Sequence, residues 1–388
     1  MPLILVTDAW VGKSLSAIRS LGEAGYDVHA ISHTYNSFGF YSKYTKKYFK
    51  FPNPQEEPEK YQIKLLELLA KNKYDCIIPM EDAVIKIILD VREEVEKLTY
   101  VALPLRENYY SAYNKMETLM LANSIGVPIP QTLFQPSLEE LKGQAENLPF
   151  PLIIKPVSGS GSRGLKKVHN TAELFKYYPE IVGHYGPCVV QEALEQEGKG
   201  LGVGLIADNG NVLCSYSYTR LREFPVTGGP GTLREVTDDA IIKAYAAKLM
   251  HTLNWTGVAM VEFKTDLKTG QPKLMEINPR FWGSLELARY AGINLPKMLY
   301  QLSVGEAVET AEAKVGIRAR WLIPGDVAHF VFNPKRFSMK PSFFNFWDKN
   351  TYTDHLQWVD FKGSLAFLVC SFLQFFSPKI WKMAIFRK

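Results

Sequence analysis

Short apolar runs and helical periodicities alternate from the start of the chain. Leu3 to Thr7 reads as a buried strand, Ser14 to Gly25 as a helix capped by Ser14, and Asp27 to Ile31 as a second strand. This βαβ opening predicts a parallel open sheet. A helix over Glu59 to Lys71, a strand over Cys76 to Pro79 and a helix over Ala83 to Lys97 extend it. Glu81 and Asp82 fall at the carboxyl end of the Cys76 strand, where open α/β sheets place ligands; they are equally placed to cap the following helix, the commoner role. A further helix is expected from Tyr109 to Ile125, carrying Lys115 and stopped by Gly126-Val127-Pro128-Ile129-Pro130.

Beyond this point strands dominate. Pro151 to Pro156 is an apolar strand ending in Lys155, and Leu165 to Val168 returns from it, so the segment between them is a hairpin tip. That tip, Ser158-Gly159-Ser160-Gly161-Ser162-Arg163-Gly164, can turn successive backbone N–H groups toward an anion, as a phosphate lid does. Cys188 to Leu194 is another strand. Val203 to Ala207 and Val212 to Thr219 flank an Asn-Gly turn. A helix over Asp238 to Leu253 precedes strands at Gly257 to Phe263 and Lys273 to Ile277, joined by a turn at Asp266 to Gln271. Leu285 to Ala291 and Leu295 to Val304 read as helices and Arg318 to Ile323 as a strand, whereas the Phe- and Trp-rich stretch from Phe332 to Phe361 shows no period.

The candidate chemistry lies at the end of this series. Strand side chains alternate faces, so Glu276 and Asn278 project together, and the hairpin brings Glu262 beside them. Two carboxylates and an amide oxygen on one face suit Mg²⁺ held jointly with phosphates. Arg280 follows immediately. Arg220, Arg222 and Arg234 bracket Gly228-Gly229-Pro230-Gly231, an arrangement suited to gripping carboxylate or phosphate. The loop ending Gly12-Lys13-Ser14 resembles a P-loop only at its end, because Thr7 stands where the first glycine is required, and G-x-G-x-x-G is missing too.

Composition narrows the class. The chain has 388 residues and a formal charge of +5, but residues 361–388 hold five basic side chains and no acidic one, so the remainder balances. There is no basic face of the kind nucleic acids require. Four widely spaced cysteines indicate neither a zinc site nor a disulfide framework and fit a reducing cytoplasm, and the N-terminus lacks a signal-peptide pattern. No apolar run is long enough to span a bilayer. The apolar stretch Leu365 to Phe376 and the basic, aromatic residues after it could lie in a membrane interface, or dock on the protein's own surface or on a dimer partner.

Taken in order, Lys115, Lys155, the Ser158 to Gly164 loop, Gln191-Glu192, Glu262 and Glu276-x-Asn278-x-Arg280 resemble the ATP-grasp superfamily over residues 1 to about 305. Arg220-Leu221-Arg222-Glu223-Phe224-Pro225, Val258 to Lys264 and Met275 to Gly283 are similar to its carboxylate-amine ligase branch, related to the carbamoyl-phosphate synthase large chain. The resemblance implies an α/β and α+β fold. It comprises a Rossmann-like domain (1–106), a linker helix and lid (107–192), a C-terminal metal-binding subdomain (193–325) and an extension (326–388). It implies ATP with two Mg²⁺ ions, or Mn²⁺ in their place. Lys115 and Lys155 would hold phosphates beneath Ser158, Gly159, Ser160, Gly161, Ser162 and Gly164. Gln191, Glu192 and Leu194 would present the adenine hinge, Glu195 or Glu197 the ribose contact, and Glu262, Glu276 and Asn278 the metal ligands. Arg280 would meet the transferring phosphate, and Arg220 or Arg222 an acceptor carboxylate. The implied reaction joins a small-molecule carboxylate to an amine through an acyl phosphate. A non-catalytic nucleotide-binding protein and a bicarbonate-phosphorylating carboxylase are the alternatives, and a homodimer is the expected assembly.

Overall fold

A computed structural model of the chain describes residues 1–157, 164–195, 198–226 and 228–375. Strands β1 (Leu3–Val6), β2 (Asp27–Ser32), β3 (Thr45–Lys50) and β4 (Cys76–Ile78) form a parallel sheet in the order β3-β2-β1-β4. The central strand β1 is apolar throughout, as a strand covered on both faces must be. Its following helix begins at Gly12, not Ser14; Ser14 lies inside it, buried, and donates its hydroxyl to the Thr7 carbonyl at 3.1 Å. The expected helix 83–97 divides at Val91 into Asp82–Asp90 and Arg92–Glu96. Arg92, opening the second piece, donates to the Leu103 and Pro104 carbonyls, a tertiary contact that overrides local periodicity.

The expected helix 109–125 also divides, at Asn114, into Arg106–Tyr113 and Lys115–Ser124. Asn114 accepts from the Met116 and Glu117 N–H groups, and its amide donates to Glu117 at 2.8 Å. This is a reciprocal cap, visible in the sequence as Asn-x-x-Glu. It makes Lys115 the first residue of the second helix, with its N–H on the Val157 carbonyl at 2.9 Å.

Strands β5 (Thr132–Phe134), β6 (Leu152–Pro156), β7 (Lys166–Val168) and β8 (Cys188–Glu192) form a small antiparallel sheet in the order β5-β8-β6-β7. The strands expected on either side of the glycine-rich tip, β6 and β7, pair with each other. Of that tip only Gly164 is described, at φ +71°, whereas Ser158, Gly159, Ser160, Gly161, Ser162 and Arg163 lie outside the described residues, as does Glu197.

The largest sheet contains β9 (Gly200–Asp208), β10 (Asn211–Glu223), β11 (Gly231–Thr237), β12 (Gly257–Thr265), β13 (Pro272–Asn278), β14 (Arg318–Arg320) and β15 (Thr351–Thr353), ordered β13-β12-β9-β10-β11-β14-β15. It is antiparallel except for β14 with β15. Two apolar cores cover its faces and join it to the first sheet: Leu5, Ile31 and Ile77 pack in one with Val203, Leu205 and Val261, and Ile4, Val6 and Ile78 in the other with Ile206, Tyr216 and Trp282. The strand expected over Arg318 to Ile323 ends at Arg320 because the chain turns there toward Asp326, and the Trp321 N–H bonds the Thr232 carbonyl.

The aromatic stretch after Phe332 is mostly irregular. It supplies the edge strand β15 and then the helix Phe361–Phe375. Among the described residues no helix is long and apolar enough to cross a membrane.

Candidate active site

The register of β12 against β13 sets Glu262 directly opposite Glu276, while Asn278 lies two residues further along β13. On its other side Glu262 faces Gly202 of β9, where a Cβ would lie 2.4 Å from the Tyr218 ring. That glycine lets the aromatic ring close one side of the acidic rung. The Asn278 amide donates to Glu276 at 3.2 Å, Lys115 Nζ lies 3.4 Å from Glu276, and Arg220 Nη2 lies 2.5 Å from Glu262. Burial and the neighbouring Glu276 raise the Glu262 carboxyl above the ordinary value, against Arg220. Burial would raise Glu276 too, but Lys115, Asn278 and Lys155 outweigh it and hold it below that value. The two carboxyls titrate as a pair.

Among the described residues no three His, Cys, Asp or Glu side chains converge. The rung therefore offers two carboxylates and an amide oxygen. A hard divalent cation fits such a set when water and phosphate oxygens fill its other positions.

Lys155, buried on β6, donates to Gln191 Oε1 at 2.6 Å, a diagonal contact across the β6–β8 pair. Gln191 is held in turn by its own amide on the Thr132 hydroxyl at 2.8 Å. Burial pushes the Lys155 ammonium down to about 8, Glu276 opposing the shift and Lys115 adding to it. The Gln191 side chain thus orients a lysine. Glu192 is engaged by Lys273 and Lys268 at 3.3 and 3.4 Å, and Leu194 is buried. Glu195 differs from both. Its Oε2 is buried and has no hydrogen-bond partner among the described residues, so it has an acceptor to give to a hydroxyl.

Arg280 follows β13 and reaches the first sheet, its Nε 2.9 Å from Asp82. Asp82 also accepts from the Tyr109 hydroxyl at 2.9 Å, and Glu81 accepts from Lys13 at 2.9 Å. Both carboxylates do stand at the N-terminus of the helix Asp82–Asp90, Glu81 at the N-cap and Asp82 in the first turn, but Glu81 makes no side-chain cap bond and the two are drawn to Lys13 and Arg280. Lys13 is buried and also donates to the Phe281 carbonyl at 2.8 Å. Burial, then Arg280, pushes it down to about 8. Asp8 beside it is pushed up to about 7, by burial and then Glu81. Its backbone sits at φ +53°, a region that non-glycine residues adopt rarely. The contacts of Lys13 and Tyr109 were not legible in the sequence, because their partners lie tens to hundreds of positions away.

Arg222 does not join the site. A bulge between Arg220 and Arg222 breaks the two-residue alternation and turns Arg222 away from Glu262. Its guanidinium is buried on Asp326 through two 2.7 Å bonds and on the Pro341 carbonyl at 2.9 Å. Arg234 is similarly committed to Asp354, at 2.7 and 2.8 Å.

Residues 185–323, which hold Glu262, Glu276 and Arg280, match the family described as ATP-grasp in the biosynthetic pathway with Ter operon. Over 198 residues the chain is 27% identical to acetyl-CoA carboxylase 1 of Arabidopsis thaliana, covering 48% of this chain and 9% of that protein. Over 213 residues it is 26% identical to the C-terminal section of the carbamoyl phosphate synthase large chain of Methanocaldococcus jannaschii, 52% of this chain and 34% of the relative. The chain thus spans about a third or less of the length of these curated relatives. Its fold is similar to the biotin carboxylase domain of 2-oxoglutarate carboxylase from Hydrogenobacter thermophilus, solved as a dimer with magnesium ADP and bicarbonate. The TM-score is 0.68 at 18% identity, covering 81% of this chain and 73% of the other. Over residues 185–323 the chain is thus similar to an ATP-grasp family, and its fold to that of a biotin carboxylase domain.

Proposed function

We propose that the chain is an ATP-dependent ligase that activates a carboxylate as its acyl phosphate and joins it to an amine, releasing ADP and phosphate. The observation that carries this reading is the Glu262–Glu276 rung with Asn278, flanked by Lys115 and Lys155. In this reading Glu262, Glu276 and Asn278 hold two Mg²⁺ ions, which when bound neutralise charge on the transferring phosphate. Lys115 and Lys155 bind phosphate oxygens. The tip containing Ser158, Gly159, Ser160, Gly161, Ser162 and Gly164 covers them and excludes water, which an acyl phosphate requires to survive. Backbone groups near Gln191, Glu192 and Leu194 receive adenine, and Glu195 takes the ribose.

Arg220, already on a carboxylate, is suited to exchange it for the acceptor acid. Arg280 stabilises charge developing on the transferred phosphoryl group. Segment 107–192 acts as the lid over 193–325, with 1–106 contributing Glu81, Asp82 and Lys13 to the acceptor end. The assembly is a homodimer and the compartment cytoplasmic.

The experiment is ADP release from Mg-ATP against a panel of small acids and amino acids, with hydroxylamine as trap. Acid-dependent ADP release with hydroxamate formation supports the ligase. The matches to carboxylases favour a second reading in which the acid is bicarbonate. Bicarbonate-dependent ADP release that increases with added biotin, without hydroxamate from any other acid, would favour it. ATP binding with no turnover under any of these conditions would favour a non-catalytic nucleotide-binding role.

A further inference from the structure

The helix Phe361–Phe375 has two unlike faces. One packs on the body of the protein: Gly363, Ser364, Phe367 and Cys370 are buried, and the Phe367 ring meets Phe38 at 5.2 Å and His355 at 4.3 Å. The other carries Phe361, Leu365 and Val369, a stripe at helical spacing that is exposed to solvent. Trp358, 89% exposed, stacks on Phe361 and lengthens the stripe. Isolated exposed apolar residues are ordinary, but a continuous helical stripe marks an interaction surface.

Charge identifies what that surface meets. From residue 327 to the end the sequence holds three acidic residues, Asp348, Asp354 and Asp360, against nine lysines and arginines. Each of the three carboxylates is bonded to an arginine of the body: Arg318 at 3.0 Å, Arg234 at 2.7 Å and Arg19 at 2.8 Å. None is left to offset the extension's cations, among them the exposed Lys335, Lys340, Lys349 and Lys362 and four more in the last ten residues of the sequence. A second copy of the chain is a poor occupant, because a two-fold interface sets identical patches together and would oppose cation to cation. The protein's own body already holds the helix's other face.

We propose that this extension docks the chain on an anionic bilayer, with the stripe lying in the headgroup boundary and the extension's exposed cations, Lys362 on the same helix among them, drawn to lipid phosphates. One face of the helix is already held by the body of the protein, so the helix would lie along the surface rather than cross it. This inference does not depend on the ligase reading, since nothing in the site enters it.

The test is flotation of the full chain with phosphatidylcholine vesicles, with and without roughly a third phosphatidylglycerol. Capture by the anionic vesicles alone is expected, with release as salt is raised. The double variant L365E/V369D should bind at least about tenfold more weakly, through lost apolar burial. Lys362→Glu changes the charge by two units and should bind about 25-fold more weakly, at about fivefold for each unit. Both positions on the stripe and Lys362 are exposed, so the melting temperature should be unchanged in every variant. Failure to float with anionic vesicles at low salt would overturn the proposal. So would undiminished binding by L365E/V369D, or a stable dimer that this double variant dissociates.

Discussion

Two sets of buried charges in this chain use the same residue types in opposite ways. Around the extension, Arg222, Arg234 and Arg19 meet Asp326, Asp354 and Asp360, both partners of each pair lying at 5% exposure or less. Arg222 grips Asp326 through two nitrogens, Arg234 meets both Asp354 oxygens through Nη2, and Arg19 bonds Asp360 through Nε, so each pair is closed within the fold. In the acidic rung, Glu262 faces Glu276 and Lys155 feels Lys115, like charge beside like, and Glu276 remains 32% exposed. The first set is matched and closed, so exchange of partners would be costly. The second is mismatched and reachable, and an incoming phosphate with its cations would relieve both repulsions at once. A buried ion pair alone therefore says little about function. What separates the two sets is whether the charges are sealed inside the fold or stand beside like charge within reach of solvent.

The largest expected effect breaks the closed set. Asp354→Ala strands Arg234 in the interior and should lower stability by about 3–5 kcal/mol, read by urea unfolding. Activity per folded molecule should survive, since Asp354 touches nothing in the rung.

Next comes the open set, with the opposite pattern. Glu276→Gln should reduce substrate-dependent ADP release by about a hundredfold or more while the unfolding midpoint stays near that of the parent. A large stability loss in this variant would erase the distinction between the two sets.

A smaller effect follows from Lys155. Its folded value of about 8 lies below the ordinary lysine value of 10.5, because burial disfavours the charged form. Bound phosphate favours the charged form, so nucleotide affinity should be full below pH 8 and fall as pH rises through it, by up to about tenfold per pH unit. Calorimetric titration across that window checks this, and Lys155→Arg should flatten the profile. The smallest effect is expected at Asp82→Asn, which loosens Arg280 from the first sheet. KM for the acid should rise roughly fivefold to tenfold with little change in kcat.

The rung was legible because it depends on local rules. Strand alternation and a short hairpin suffice to bring Glu262, Glu276 and Asn278 to one face, and the β6–β7 pairing follows from glycine and serine between two apolar runs. Arg222 was misplaced because one bulge, without a glycine or proline to announce it, reverses the face that a side chain takes. Lys115 was set too deep in a helix because Asn114 was read as an interior residue rather than as a cap. The clamp on the extension could not be read at all. Its arginines and aspartates are separated by 30 to 341 positions, and only the packing of the sheets pairs them. Gly12 shows the same limit, since its role is to admit the His355 ring, which would lie 2.7 Å from a Cβ there.

The most direct test is calorimetric titration of the full chain with ADP, in Mg²⁺ and in chelator, for the parent, Glu276→Gln and Asp354→Asn. The account predicts binding that Mg²⁺ tightens by about tenfold or more in the parent and in Asp354→Asn, and a loss of that Mg²⁺ dependence in Glu276→Gln. Equal Mg²⁺ dependence in Glu276→Gln and the parent, or no nucleotide binding in a folded parent, would contradict it.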